Sequence, residues 1–324
     1  MVGQDGGQSI DLGASTLFVF SDTLLTVRPR PAGPDAGFAS LAVTSGEPCL
    51  FLANCAAVSD GKDIDSGLDQ MRYLSGPDGF PTEILVPSAE ERAANLRFWP
   101  GHGLVIDGTV YLYYVGVKIM DPADAWAFRP LGSGLAAFDP ATGKAERIHR
   151  EGDWCLWPST ADDLHFGVQV IRRGDEVYVF GSLRNGLDHH GIVGRVPVDR
   201  ISDPEAYIYL PAEGTDWVRE EKHARSLGPC ASDYSVTYNR HLGAYLMCYV
   251  DGLTKQLMIR VADDPCGPYS APHAVGRLPH HPSSELIFLG FQHPQFTRDG
   301  GQRLYVTYCQ PSFAMPSVVE LRLR

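Results

Sequence analysis

The chain has 324 residues, of which 44% are hydrophobic and 20% are charged, a composition typical of a folded globular protein with a sizeable core. The formal net charge is −12 and no block of lysine and arginine is present, which excludes the basic surface that nucleic-acid binding requires. No run of about 18 apolar residues occurs, so we expect no transmembrane helix and no membrane partner.

Pairs of short apolar runs joined by turns recur along the whole chain. Turn residues such as Asp107-Gly108, Arg173-Gly174-Asp175 and Asp299-Gly300-Gly301 separate the two runs of a pair, where a tight reversal requires positive φ. Regular hairpins with little helix between them predict radial repetition of small sheets. The pairs are Gln8–Leu12 with Thr16–Phe20, Gly103–Ile106 with Val110–Val115, Gly167–Ile171 with Val177–Phe180, Ser235–Tyr238 with Tyr245–Val250, and Pro294–Thr297 with Leu304–Tyr308.

A third apolar run follows each hairpin and is expected to complete a small sheet. We therefore predict an all-β fold, a five-bladed β-propeller, in which the first strand of every blade lies next to one central axis. No linker rich in Pro, Gly or Ser divides residues 1–324, so we expect a single domain. The third runs are Ser40–Ser45, Gly134–Phe138, Gly191–Val198, Gln256–Ala262 and Val318–Leu323.

Long segments connect the predicted blades, and loops of this length are usually functional. They are Ser59–Phe98, Glu151–His165, Pro211–Ser232 and Ser270–Gln292. One short helix is predicted, at Ser88–Asn95, because Ser88 and Glu91 have the spacing of a capping box.

The cysteines and the first residues bear on the compartment. The seven cysteines are odd in number and show no C-x-x-C spacing, which disfavours zinc and a disulfide framework and favours buried thiols of a cytosolic protein. Met1 is followed almost at once by a polar, Gly-rich stretch, so no signal peptide is visible. The sequence as written therefore predicts a cytoplasmic location, whereas a chain lacking its leader would be secreted.

Several motifs resemble one known family. The stretch Gly3-x-Asp5-Gly6-x-x-Ser9, followed by Leu17-Phe18-Val19-Phe20 and Ser21-Asp22-Thr23, looks like the opening of domain-of-unknown-function family 4185. Further similarity, which extends the resemblance over essentially the whole chain, lies in Trp99-Pro100-Gly101-x-Gly103, Phe166-Gly167, Gly181 and Val261-Ala262-x-x-Pro265-x-Gly267-Pro268-Tyr269-Ser270.

The resemblance carries expectations about fold and activity. It implies the five-bladed architecture of arabinanases, levansucrases and invertases, and the activity of an endo-D-arabinanase of glycoside hydrolase family 183 on mycobacterial arabinan. It also implies that the residues at the positions of Asp5 and Asp22 are catalytic. The chain departs from the pattern in having Ser21 where glycine is expected and in showing no export signal.

Asp5 and Asp22 are the candidate catalytic residues on geometric grounds as well. Asp5 precedes the first predicted strand and Asp22 follows the second, so an antiparallel hairpin brings both to the same edge. Glycoside hydrolysis needs one protonated and one ionised carboxyl, and proximity should separate the two pKa values. The alternative interpretation is structural, with Asp5 forming a turn with Gly6 and Gly7 and Asp22 capping one through Thr23.

Polar groups precede the first strand of each later blade, as an axial binding pocket requires. His102 or Asp233 is an alternative proton donor, and Glu220 or Glu221 is a further acid in a neighbouring loop. The expected substrate-binding residues are Trp99, His102, His165, Gln169, Asp233, Tyr234 and His293, with Asp162 and Asp163 nearby.

Aromatic residues of the connecting loops are candidate sugar platforms. Trp157 and Trp217 are expected to stack on sugar rings, although fastening a long loop to the propeller is an equal alternative. We interpret Trp126 and Phe128 as core or rim packing. No metal or cofactor is predicted, apart from the alternative of a structural cation held by His293 on the axis.

The sequence therefore predicts a carbohydrate-active propeller, a glycoside hydrolase acting on a furanoside-containing glycan of the arabinan type. One alternative is a carbohydrate-binding propeller without catalysis. Another is an intracellular glycoside phosphorylase, for which Arg97, His102 and Arg225 are the suggestive residues. The sequence predicts neither the linkage, the stereochemical outcome nor the oligomeric state.

Overall fold

The computed structural model describes residues 3–26, 49–61, 64, 71–121, 124, 126–159, 164–185, 188–220, 223–282, 284–310 and 315–324. These residues form five antiparallel sheets that follow one another along the chain. The first strand of each sheet contacts the first strand of the next, and the fifth contacts the first, so the ring is closed. The predicted five-bladed β-propeller is confirmed.

The blades differ in size and complexity. Blade one contains β1 (Gly3–Asp11), β2 (Thr16–Thr26), β3 (Cys49–Leu52), β4 (Cys55–Ser59) and β5 (Arg72–Tyr73), and is followed by helix α1 (Ala89–Ala93). Blade two contains β6 (Leu96–Ile106), β7 (Thr109–Ile119), β8 (Phe128–Asp139), β9 (Lys144–Arg147) and β10 (Trp157–Pro158). Blade three contains β11 (His165–Arg173), β12 (Glu176–Asn185), β13 (Asp188–Pro197), β14 (Ile208–Tyr209) and β15 (Pro229–Cys230).

The last two blades are simpler. Blade four contains β16 (Ser235–Asn239), β17 (Ala244–Asp251), β18 (Gln256–Ala262) and β19 (His273–Arg277). Blade five contains β20 (Phe288–Gln292), β21 (Arg303–Cys309) and β22 (Ser317–Arg322). Short 3-10 turns occur at Val198–Arg200, Pro204–Ala206, Pro294–Phe296 and Asp299–Gly301.

Glycine-bearing bulges interrupt the inner strands β1, β6, β11 and β20. At Gly167 in β11, φ is +94° and an added Cβ would lie 2.2 Å from the Cβ of Tyr113 in blade two. At Gly290 in β20, an added Cβ would lie 2.7 Å from the Cα of Tyr249 in blade four. These glycines allow neighbouring blades to approach closely near the axis.

The hydrophobic core lies between the faces of adjacent blades. Leu17 and Val19 of β2 pack with Leu112 of β7 between blades one and two, and Phe166 of β11 packs with Tyr113 and Trp157 between blades two and three. Because each inter-blade layer is separately filled, the inner strands are held at fixed positions around the axis.

Three sequence predictions about elements have different outcomes. The helix is confirmed, with the capping box of Ser88 and Glu91 formed. The inner strand of blade five is β20, and the predicted strand Pro294–Thr297 is wrong because this segment forms a 3-10 turn. The predicted third run Ser40–Ser45 of blade one lies outside the described residues, whereas β4 is the described strand that pairs with the first half of β2.

The described ranges contain no helix that is both long enough and apolar enough to cross a bilayer. Six cysteines within the same ranges, at positions 55, 155, 230, 248, 266 and 309, are free thiols.

Candidate active site

The two candidate catalytic carboxylates lie on neighbouring strands of blade one. In the β1–β2 pair, Gln4 is opposite Thr23 and Gly6 is opposite Phe20, with a bulge between these pairs. Asp5 and Asp22 therefore face the same irregular part of the hairpin. Both lie inside the strands, which are longer than the sequence indicated, rather than beyond the sheet edge.

Asp5 is partly buried at the end of the propeller where the inner strands begin, which we call the mouth. Its Oδ1 accepts a 2.6 Å hydrogen bond from the backbone N–H of Gly6, as the turn interpretation expected. Burial and the nearby charge of Asp22 raise the pKa of Asp5 from 3.8 to about 7, despite the Gly6 hydrogen bond. At neutral pH this carboxyl is thus protonated in a large fraction of molecules.

Asp22 has cationic and hydrogen-bonding partners from blade two. The indole Nε1 of Trp99 donates to Oδ1 at 2.8 Å, and Nη1 of Arg97 donates to Oδ2 at 3.3 Å. Burial raises the pKa of Asp22 to about 6, while Arg97 and Trp99 oppose this increase. Since its partners stabilise the ionised form, Asp22 is mainly a carboxylate at neutral pH. These cross-blade bonds do not match the predicted turn-capping role through Thr23.

Blades three and four provide a second polar group at the mouth. Nδ1 of His165 lies 3.6 Å from Oδ1 of Asp233, and the hydroxyl of Ser232 donates to Oδ2 of Asp233 at 2.9 Å. The charge of Asp233 also contributes to the raised pKa of Asp5, so the two carboxyls interact across the mouth. Four predicted site residues, Asp5, Asp22, His165 and Asp233, are thus brought together from three blades.

Deeper along the axis, the expected binding residues form a buried polar cluster. Nε2 of His102 lies 3.4 Å from Nε2 of Gln169, and Nδ1 of His102 accepts from the backbone N–H of Val170. His293 contacts the hydroxyls of Ser9 and Thr307 at 2.7 and 2.6 Å.

Burial in this cluster keeps both imidazoles neutral. It lowers the pKa of His102 to about 4 and that of His293 to about 3. His102 is therefore a poor proton donor at neutral pH. Both ring nitrogens of His293 are engaged, which leaves none for the alternative axial cation, and the described residues contain no cluster of three or more His, Cys, Asp or Glu suited to a metal.

Two predicted substrate-binding residues are placed in the core instead. Trp157 is only 4% exposed and packs against Tyr113, Phe166 and Tyr207. Tyr234 is fully buried, with its hydroxyl donating to the carbonyl of Gly181 at 2.8 Å. Neither side chain has a face available for sugar, because both fill inter-blade space.

Trp217 lies on the flank of blade three. The Arg195 guanidinium is 4.2 Å from the centre of the Trp217 ring, and Tyr178 packs at 6.4 Å with its ring steeply inclined. These contacts agree with the loop-fastening alternative for this residue. Trp99 remains at the mouth, with its indole N–H directed to Asp22.

The residues suggestive of phosphate binding do not converge. Arg97 is engaged by Asp22, His102 is buried on the axis, and Arg225 donates to the carbonyl of Cys266 at 3.1 Å. Asp162, Asp163 and Glu221 lie outside the described residues. The sequence analysis did not predict Arg97 as a partner of the carboxylates. Its position two residues before Trp99 on an inner strand, which puts both side chains on the same face, could have indicated this role.

A groove of about 210 Å³ adjoins the mouth on the side of blade two. Arg97 lines it together with Phe51, Glu83 and Arg92, and the Arg97 guanidinium lies 4.3 Å from the centre of the Phe51 ring. The partner of Asp22 is therefore reached from an open surface.

Comparison with known proteins places these observations in a family. The family model described as Domain of unknown function (DUF4185) matches residues 1–312. No curated protein matches the sequence.

Solved structures share the fold at low sequence identity. A protein of Bacteroides ovatus ATCC 8483, provisionally described as a hydrolase, has a TM-score of 0.67 and 15% identity, over 98% of this chain and 84% of that one. The GH43_1 enzyme of Xanthomonas citri in complex with xylose has a TM-score of 0.54 and 15% identity, over 100% and 88%. A point mutant of the Cellvibrio cellulosa alpha-L-arabinanase has a TM-score of 0.50 and 14% identity, over 100% and 93%.

Proposed function

The chain belongs to the DUF4185 family of domains of unknown function, and we propose that it is a glycoside hydrolase using Asp5 and Asp22. One observation carries the proposal: two carboxyls meet at the β1–β2 bulge at the mouth, where Arg97 and Trp99 hold Asp22 as a carboxylate and burial beside it raises the pKa of Asp5. This is the pairing of a protonated and an ionised acid that glycosidic bond cleavage requires. The shared fold of sugar-cleaving propellers supports the same reaction class by analogy.

We assign a different role to each acid on the basis of its surroundings. Asp5, the more strongly raised of the two, donates its proton to the leaving glycosidic oxygen as the bond from the anomeric carbon breaks. Asp22, held as a carboxylate by Arg97 and Trp99, serves the opposite face of the sugar. It either removes a proton from the attacking water or attacks the anomeric carbon itself, as the separation of the two carboxyls in the substrate complex decides.

The proposed substrate is a furanoside-containing glycan of the arabinan type. The support is the resemblance of the opening motif, Gly3-x-Asp5-Gly6-x-x-Ser9, to family 4185. A panel of D-arabinan, L-arabinan and xylan, with release of reducing ends as the readout, tests this choice. Cleavage of xylan alone would retain the reaction and reject the furanoside.

Separate Asp5→Asn and Asp22→Asn variants test the catalytic roles. Each should lower the rate by about 100-fold or more, because general acid–base catalysis contributes that much. Asp11→Asn is the matched control, since Asp11 is an exposed residue at the opposite end of β1. Retention of most activity by both variants would reject the assignment. Binding of a glycan by the parent without release of reducing ends would instead support a non-catalytic carbohydrate-binding propeller.

A further inference from the structure

The most exposed tryptophan of the described residues lies beside the mouth. Trp126, in the connection between β7 and β8, is 56% exposed, whereas Trp154 and Trp157 are buried. Its backbone N–H donates to Oδ1 of Asp124 at 2.9 Å, which holds the backbone of Trp126 in a turn. The ring contacts Phe288 of blade five edge-to-face, with centroids 6.2 Å apart. The connection from blade two therefore reaches an inner strand that is not its neighbour in the ring.

Trp126 is linked by packing to Asp5. Phe288 is paired with Cys309 across β20 and β21 and packs in the same cluster. The thiol of Cys309 lies 3.6 Å from the carbonyl oxygen of Gly6, the residue after Asp5. The Trp126 ring is thus connected to the segment that carries the proposed acid through Phe288 and Cys309.

The same connection is linked to Asp22. Phe128, two residues after Trp126, packs edge-to-face on Trp99 with centroids 4.9 Å apart. Trp99 is the residue whose indole N–H donates to Asp22. Residues 126–128 therefore contact one aromatic side chain on the Asp5 side and one on the Asp22 side. The exposed indole therefore lies on the same side of the propeller as both carboxyls and is separated from each by intermediate side chains.

We propose that Trp126 is a sugar-stacking platform that holds a neutral unit of the glycan chain beside the mouth. The inference rests on the proposed function. An indole that contacts Phe288 edge-to-face and is more than half exposed has surface free for the C–H groups of a sugar ring, while the sugar hydroxyls stay in water. A ring that only fastened the loop would be covered, but more than half of the Trp126 surface is exposed. The interpretation of Trp126 as rim packing is thereby extended to a binding role.

Polysaccharide binding is the direct test, measured by affinity electrophoresis in gels containing D-arabinan, L-arabinan or xylan. The Asp5→Asn background prevents hydrolysis during the run. The dissociation constant obtained from the retardation should increase about five- to tenfold in Trp126→Ala. It should change little in Trp126→Phe, as expected for an aromatic contact. Met120→Ala, on the same connection and 60% exposed, is the matched control and should bind like the background.

Two results would overturn the inference. One is equal retardation of Trp126→Ala and the background in every gel. The other is failure of all three polysaccharides to retard the background protein. Both results are binding measurements and do not depend on catalysis. Failure of the proposed hydrolase function would be seen separately, as unchanged rates in the Asp5→Asn and Asp22→Asn variants. Acrylamide quenching gives a second measurement, since bound polysaccharide should protect tryptophan fluorescence more strongly in the background than in Trp126→Phe.

Discussion

Replacement of Arg97 by methionine should move the acidic limb of the pH–activity profile upward. Nη1 of Arg97 lies 3.3 Å from Oδ2 of Asp22, and its charge opposes the burial that raises the pKa of this acid to about 6. Methionine keeps an extended side chain over Phe51 but removes the positive charge. An opposite charge at this distance commonly changes a carboxyl pKa by about 1 or more, so the pKa of Asp22 should rise to about 7.

The expected loss of activity depends strongly on pH. At pH 5.5 the ionised fraction of Asp22 falls from about 0.24 to about 0.03, so kcat/KM should fall about eightfold. At pH 7.5 the same fraction changes only from about 0.97 to about 0.76, a loss of about a fifth. With Asp5 titrating at about 7, the optimum should move from about pH 6.5 to about pH 7.

The assay is kcat/KM from pH 4.5 to 8.5 on the polysaccharide that the parent cleaves. Arg97→Lys should restore part of the acidic limb because it restores a charge without the planar guanidinium. Arg173→Met is a control, since Arg173 forms a surface ion pair with Asp264 at 2.7 Å. Carboxyl carbon NMR follows the titration of Asp22 without substrate. An activity loss of the same size at every pH, or an Asp22 titration that does not move, would contradict this prediction.

Two further predictions concern stability. Asp5→Asn should raise the free energy of unfolding at pH 8 by about 1–2 kcal/mol but not at pH 4, after allowance for partial exposure. The folded-state pKa of Asp5 is raised from 3.8 to about 7, so the parent loses stability as pH increases between these values, whereas asparagine stays neutral. Urea titrations at both pH values measure this, and equal increments at the two would contradict it. Gly167→Ala should cost about 3 kcal/mol or prevent folding, because its Cβ would meet Tyr113 at 2.2 Å, whereas Gly174→Ala, with positive φ and open space, should cost about 1 kcal/mol. Similar urea midpoints for the two alanine variants would contradict the close-packing explanation.

Local patterns made much of the fold predictable. Alternating apolar runs with turns such as Asp107-Gly108 specify hairpins through short-range backbone preferences, and both residues do adopt positive φ. The proximity of Asp5 and Asp22 also followed from strand pairing alone. The inner strand of blade five was missed because Gly290 interrupts its pattern, and the need for that glycine arises from Tyr249 in another blade. Such a contact leaves no mark in the local sequence.

Side-chain exposure was the weakest part of the sequence interpretation. Trp157 and Trp126 both lie outside regular inner strands, yet one is 4% exposed and the other 56%. Which of them faces solvent depends on how each connection lies against the next blade, a property of tertiary packing. The partnership of Arg97 with Asp22 likewise joins blades one and two and required the relative position of two sheets.

The filled centre of the ring limits how a long polymer can approach. The Gln8 amide donates to the carbonyl of Val168 at 2.9 Å from blade one to blade three, and His293 and Ser9 are almost completely buried beside it. A polysaccharide therefore cannot be threaded through the described part of the propeller. Under the proposed function, a polysaccharide substrate would lie crosswise over one face with both tails free, so products would leave sideways and internal bonds would be as accessible as terminal ones.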